Sequence, residues 1–364
     1  MTPDAAGRTA WMTFALLAAC AGDGPVLPAQ TKPIDARPDV SSPTEEEGAA
    51  GATREMRFAD DGEGVAAADL DGDGFDELIY VSQGEIVRDD DVLASVGAKL
   101  MVVARGDINA DGKEEALLGF GAGKGFRQAP AQIWVVDADG ATILWQRDRE
   151  RNQIADLHVI DGKPFVAAFK DGRTVEGGFI VDNALQPLVE VPLGVAQLPL
   201  PTGDVVVGRL YGDEPRSSGD LQLRRGQTVD TKPTNLGVKA LDAANLDDDP
   251  ELEVLVADGW HFQYGLRATA HVTLFDGVNL DDSRSIALLP DNYTIEEIEI
   301  LRDRPAALLT ASSSAFLIAL DGLGWKPIRL DDVPDQGNAV VAYLEDGPWV
   351  LISGTPATLI PLPL

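Results

Sequence analysis

The sequence predicts an all-β fold and, within that class, a β-propeller: a ring of about seven blades, each a sheet of four antiparallel strands. Three observations predict it. Short apolar runs separated by turn residues recur through most of the chain, with 37 glycines and 23 prolines in 364 residues, the pattern of many strands joined by tight turns. An acidic loop with side-chain oxygens at alternate positions stands three times between two such runs. The loops also keep a period. Asp69 and Asp107 are 38 residues apart, and the 138 residues from Asp107 to Asn245 hold three units of 46, within the range of propeller blades. After the first twenty or so residues no 3.6-residue periodicity is sustained, which argues against a helical fold.

In chain order, residues 1–19 read as a signal peptide. The apolar stretch 11–19 is about half of what a bilayer-spanning helix needs but suits a signal-peptide core. It ends in Leu17-Ala18-Ala19-Cys20, and Cys20 is the only cysteine, so no intramolecular disulfide can form. Residues 20–52, rich in Pro, Ala, Gly and Glu, read as a disordered tether. The small residues before the lone cysteine resemble the lipobox of bacterial lipoproteins, although Asp4 beside Arg8 leaves the amino-terminal region barely basic. That resemblance implies cleavage before Cys20, acylation of Cys20, and a membrane contact made through the lipid anchor only; two or more acyl chains anchor stably. Ala21, where an aspartate would favour the inner membrane, points to the outer membrane.

Residues 53–364 form the propeller domain. Its first blade carries GVAAADLDGDGFDELIYVSQ (64–83) and its second GDINADGKEEALLGFG (106–121), followed by the hairpin IWVVDADGATILWQ (133–146) with Trp145 in the core. The third and fourth units cover about 154–191 and 193–231, and the fifth carries AANLDDDPELEVLVADG. EEIEILRDRPAALLTASSSAFLIALDG and NAVVAYLEDGPWVLISGTPATLIPLPL follow. The last unit shows three strands. Since a ring must close and protect its edges, residues 54–58 are placed to supply the fourth. The third, fourth and sixth units are read on rhythm alone, so six or eight blades stay open.

The acidic loops have the layout a hard, oxygen-seeking cation requires: ligands at positions 1, 3 and 5, a backbone carbonyl near 7 and a closing carboxylate. Loop 1 offers Asp69, Asp71, Asp73, the Phe75 carbonyl and Glu77. Loop 2 offers Asp107, Asn109, Asp111, the Lys113 carbonyl and Glu115. Loop 3 offers Asn245, Asp247, Asp249, the Glu251 carbonyl and Glu253, but has Pro250 where loops 1 and 2 have Gly74 and Gly112. Proline cannot take positive φ, so that turn must differ. An EF-hand is excluded: its twelfth position needs a bidentate Glu, and Tyr80, Leu118 and Val256 stand there. The loops resemble the DxDxDGxxD/E repeats of FG-GAP and VCBS-type, integrin-like propellers. That resemblance implies structural calcium bound between the first two strands of a blade, at two sites here, with the third left open by Pro250.

Sixty acidic against 29 basic residues give a net charge of −31, which excludes binding to a nucleic-acid backbone. His158, His261 and His271 have no zinc spacing, and no GxSxG motif or cysteine nucleophile is present in the mature domain. The expected role is therefore a monomeric, non-enzymatic module at the cell envelope that binds a protein or a glycan. A propeller-fold enzyme acting on envelope polysaccharide is the alternative, and an assembly factor docking outer-membrane proteins a third reading. The candidate binding surface is the face opposite the acidic loops. There residues 121–131 hold Lys124, Phe126 and Arg127, and residues 258–269 hold Trp260, His261, Phe262, Tyr264 and Arg267. Aromatics with a few donors suit sugar stacking or a protein hot spot; packing of the loops onto their own blades is the competing explanation.

Overall fold

The computed structural model describes residues 54–55, 62–122, 129–148, 153–210, 219–234, 236–246, 252–260, 270–276, 280, 282–289, 295–302, 305–311, 314–320, 328–332, 337–354 and 357–362. The chain divides between Gly48 and Ala49, and every described residue belongs to the unit Ala49–Leu364. Among these residues all regular structure is β: 28 strands in seven four-stranded antiparallel sheets. Six sheets are simple meanders of consecutive strands. Their first strands, which line the axis of the ring, are Gly62–Ala68, Lys99–Gly106, Ile154–Ile160, Gly194–Pro199, Gly237–Ala244 and Ile295–Ile300, in blades 1 to 6. Blade 7 begins with Ala339–Leu344.

Blade 7 takes its fourth strand from the start of the domain. Arg54 and Glu55 pair with Leu359 and Thr358, so the ring is closed by a borrowed strand, as the three-strand count of the last unit required. The pairing covers two residues of the 54–58 stretch.

Second strands explain the apolar runs. In Glu115–Gly121, Val205–Arg209 and Ala306–Ala311 every residue is buried, because each blade packs against a neighbour on both faces and both sets of alternating side chains leave water. Leu118 and Phe120 join Ile79, Ile86 and Ala66 in the layer between blades 1 and 2, while Leu117 turns to Ile154, Val166 and Trp145 in the layer between blades 2 and 3. Seven such layers separate the seven blades, the last joining Val65 and Tyr80 of blade 1 to Val340 and Leu351 of blade 7. Outermost strands face water, and Thr228–Pro233 is exposed at five of its six positions. In each of blades 1 to 6 the pairing of first and second strands shifts register near the start, as between Leu100 and Val102 or Ile295 and Glu297. This is a β-bulge, which twists the strand and re-aims its side chains, here towards the ring axis.

Candidate metal loops and the ring channel

Loop 1 is a tightly wound turn held by its own aspartates. Asp69 Oδ1 accepts the Gly72 N–H (2.8 Å) and Asp69 Oδ2 the Gly74 N–H (3.0 Å); Asp71 Oδ1 accepts from Asp73 and Asp73 Oδ1 from Phe75. Gly72 and Gly74 sit at φ +81° and +93°, a region that glycine enters without a Cβ clash. Glu77, on the strand that follows, reaches back to accept the Leu70 N–H at 2.7 Å. One oxygen from each of Asp69, Asp71 and Glu77 lies within 4.8 Å of the others. Burial raises the Glu77 carboxyl pKa against the Leu70 hydrogen bond, and Asp71, Asp73 and Asp69 raise it further. The donor set is all oxygen and strongly anionic, and it fits calcium.

Loop 2 copies the backbone and, among the side chains at positions 1, 3, 5 and 9, differs in one. Asp107 Oδ2 accepts from Gly112, Asp111 Oδ1 from Lys113, and Glu115 reaches back to the Ile108 N–H at 2.9 Å. Ala110 and Gly112 take positive φ, 62° and 86°. Where Asp71 leaves a second carboxylate oxygen beside Glu77, Asn109 has an amide nitrogen, and it donates to Glu115 Oε1 at 2.6 Å while its oxygen accepts from Asp111. Asn109, expected to be an interchangeable oxygen ligand, here presents a donor to the closing carboxylate. Among the described residues, the one group of three carboxylate, histidine or cysteine side chains close enough to share an ion is that of loop 1.

Loop 3 keeps the signature of its sisters at its ends: Glu253 accepts the Leu246 N–H and Asn245 is exposed. Asp247, Asp249 and Glu251 lie outside the described residues. So do Cys20, Lys124, Phe126, Arg127, His261, Tyr264 and Arg267. Trp260, expected in a loop, ends the second strand of blade 5, its backbone opposite Gly237.

A site not foreseen from sequence lies beside the loops. The residue before each closing glutamate, Asp76 or Glu114, turns inward. Asp76 is almost wholly buried; its Oδ2 accepts from Arg105 at 2.8 Å and from the Tyr343 N–H at 3.0 Å, and its own N–H donates to the Tyr343 carbonyl. Arg105 also donates to Glu299 (2.7 Å) and to the Val341 carbonyl, and lies over the Tyr343 ring. Glu114 pairs with Arg302 at 2.7 Å, and Arg302 covers the same ring. Burial opposes the Arg105 charge, but Glu299 and Asp76 outweigh it and raise its pKa. Blades 1 and 2 are thus bound to blades 6 and 7 across the carboxyl-end mouth of the ring. Nearer the other mouth, Asn338 of blade 7 exchanges two hydrogen bonds with the Val65 backbone of blade 1, at 3.0 and 2.8 Å.

Between these mouths runs a channel of about 1420 Å³, lined by the innermost strands. Its wall carries charge from blades 2, 3, 5 and 6. Asp156 pairs with His158 at 3.1 Å, Lys239 with Glu296, and Arg105 with Glu299. Three carboxylates also clamp the next blade: Asp156 accepts the Gln197 N–H, Asp242 the Ile300 N–H and Glu299 the Val341 N–H, at 2.7 to 3.0 Å. Burial pushes Asp242 up to about 6 and Glu297 up to about 7, and pushes Lys239 down to about 8. Burial also works against the His158 charge, but Asp156, with Asp242 beyond it, raises that pKa. The signal in sequence was titratable residues set among the apolar residues of first strands, as in IADLHVI and IEEIEI.

No protein-family model matches the chain, and no curated protein matches it. Among solved structures, it is similar to U3-55K and to the RRP9 WD40 repeats, each with a TM-score of 0.54 and 12% identity. The match covers 85% of this chain and 98% and 97% of those chains. At that identity the likeness concerns the fold, and it agrees with the seven-bladed ring.

Proposed function

We propose that this chain is an FG-GAP/VCBS-type propeller, tethered through a lipidated Cys20 to the bacterial cell envelope and stabilised by calcium. It serves there as a binding or scaffolding module for a protein or glycan, not as an enzyme. The observation that carries the calcium reading is the cluster of Asp69, Asp71 and Glu77 oxygens within 4.8 Å, in a loop whose backbone N–H groups orient its aspartates. Calcium there would be held by Asp69, Asp71, Asp73, Glu77 and the Phe75 carbonyl, neutralising charge that otherwise repels. The tether reading rests on Leu17-Ala18-Ala19-Cys20 and the composition of residues 20–52.

The binding reading rests on the ring as a rigid frame and on the aromatic and basic content of residues 121–131 and 258–269. Propellers host unrelated functions, so the ligand class follows from those loops: aromatic faces with Arg, Lys and His donors suit a sugar or an anchoring peptide. The test is a glycan array, with a panel of purified outer-membrane proteins, probed in calcium with the wild type and with Trp260→Ala/Tyr264→Ala. Saturable binding lost in the double variant supports the reading. Turnover of a polysaccharide, or no binding to either panel, overturns it.

A further inference from the structure

The seam between blades 3 and 4 holds an arginine with no carboxylate of its own. On the third strand of blade 4, Asp220, Gln222 and Arg224 alternate onto one face, opposite Arg209, Val207 and Val205 of the second strand. Val205 and Val207 pack with Phe165, Ala167 and Phe179 of blade 3, so this face meets blade 3. Arg209 and Asp220 form a buried pair there, with Nε donating to Oδ1 at 2.8 Å. Arg224 is half-buried at the end of the row. It donates from Nε and Nη2 to Gln222 Oε1, at 3.1 and 2.8 Å, and makes no ion pair among the described residues. Asp204 and Asp230 pair with Arg225 instead. Burial lowers the Arg224 pKa, and Arg209 lowers it further against Asp220.

The same end of the seam is open and partly apolar. Lys163 and Val181 continue the rows of Phe165 and Phe179 on blade 3, and Val229 stands opposite Arg224 on blade 4. Val181, Val229 and Lys163 are exposed. Lys163 makes no ion pair among the described residues, and Asp161 and Asp182, on the neighbouring turns, pair with neither cation. Gln222, itself buried, fixes the guanidinium by its side-on donors and leaves the end-on pair, Nη1–H and Nη2–H, without a partner. Two parallel N–H groups match a carboxylate. A net charge of −31 repels a polyanion, so the ligand carries one such group. Its body is aliphatic, to cover Val181 and Val229.

We propose that the open end of the seam between blades 3 and 4 is a binding site for an aliphatic monocarboxylate, with Arg224 as the fork that holds the carboxylate and Lys163 as a second cation beside it. The site is independent of the calcium reading and of the ligand sought at residues 121–131 and 258–269. The probe is hexanoate, titrated into the full chain at pH 7 with millimolar calcium present. Nuclear magnetic resonance follows the Arg224 Nε–H and the backbone amides of Val181 and Val229. Hexanamide and hexylammonium are the controls for charge.

The expected result is saturable shifts at those groups with hexanoate and none with either control. Arg224→Gln should weaken binding about tenfold or more, the range of a charged hydrogen-bonding partner. Arg224→Lys keeps the charge without the fork and should weaken it about as much. Lys163→Gln should weaken it about twofold, as loss of an exposed ion pair does. Arg173→Gln, which removes an exposed cation at the opposite end of blade 3, should leave it unchanged. Matching melting curves establish that the variants are folded; should Arg224→Gln fail that check, Arg224→Lys carries the comparison. Absent or unsaturable shifts, equal shifts with hexanamide, or full affinity in a folded Arg224 variant each overturns the proposal.

Discussion

Loops 1 and 2 share one nine-residue layout, with the same back-bond from the closing glutamate and the same positive-φ pair, yet their side chains meet different partners. In loop 1 the third residue is Asp71 and leaves an oxygen beside Glu77; in loop 2 it is Asn109 and fills that place with an N–H. Their inward-turning residues differ as well. The Asp76 side chain is 1% exposed and sits under Arg105, whereas Glu114 is 24% exposed and meets an Arg302 that is 40% exposed. The difference teaches that a repeated motif fixes the backbone, while positions 3 and 8 decide which partners its side chains meet. Loop 1 combines an oxygen cage with a buried latch on blade 7. Loop 2 has the same turn, an Asn109–Glu115 hydrogen bond and a surface ion pair.

The largest test of that contrast removes the two inward carboxylates one at a time. Asp76→Ala strands part of a buried guanidinium and should cost about 3 kcal/mol, at the low end for a broken buried pair because Glu299 stays with Arg105. Glu114→Ala breaks an exposed pair and should cost about 0–1 kcal/mol. Chemical denaturation measures both, and equal losses would erase the distinction between the loops.

The other end of the same seam gives the next effect. Asn338→Ala removes both partners of the Val65 backbone in a buried place and should cost about 2 kcal/mol. A loss near zero in the same denaturation would mean that the borrowed strand and the apolar layer close the ring without this latch.

The smallest effect sets the channel against the loops through pH. Glu297 and Asp242 have folded pKa values of about 7 and about 6 against ordinary values of 4.5 and 3.8. Between about pH 4 and 7 the folded state therefore holds more protons than the unfolded chain, and their contribution to stability falls as pH rises through that window. Water in the channel screens these charges and keeps the effect modest. With calcium held constant, the wild type should melt higher at pH 5.5 than at pH 8, and Glu297→Gln should narrow the gap. An unchanged gap would remove Glu297 from the account.

The ring was legible because blades repeat and because a strand buried on both faces has no choice but to be apolar, as in Glu115–Gly121 and Ala306–Ala311. The closing strand was legible from the same rhythm, since a unit with three strands needs a fourth. The loops were legible because their side-chain oxygens stand at alternate positions. What stayed hidden depended on direction. Asp76 and Glu114 are two of 60 acids, and nothing in their neighbours says that one is buried beneath an arginine far along the chain. Asp156, Asp242 and Glu297 stand in strands where a charge ordinarily marks a solvent face, and only a closed ring turns that face into an inner wall. Asn109 reads as an oxygen donor in sequence; which end of its amide meets Glu115 is a matter of packing.

The central claim is that loop 1 is a calcium clasp and that one side-chain atom separates it from loop 2. Thermal melting of the wild type, Asp71→Asn and Asn109→Asp, each in millimolar calcium and in chelator, tests it most directly. A ligand bound only by the folded state raises stability by mass action. The wild type should melt higher in calcium, Asp71→Asn should lose most of that rise, and Asn109→Asp should enlarge it. Superimposable curves for the wild type with and without calcium would contradict the claim.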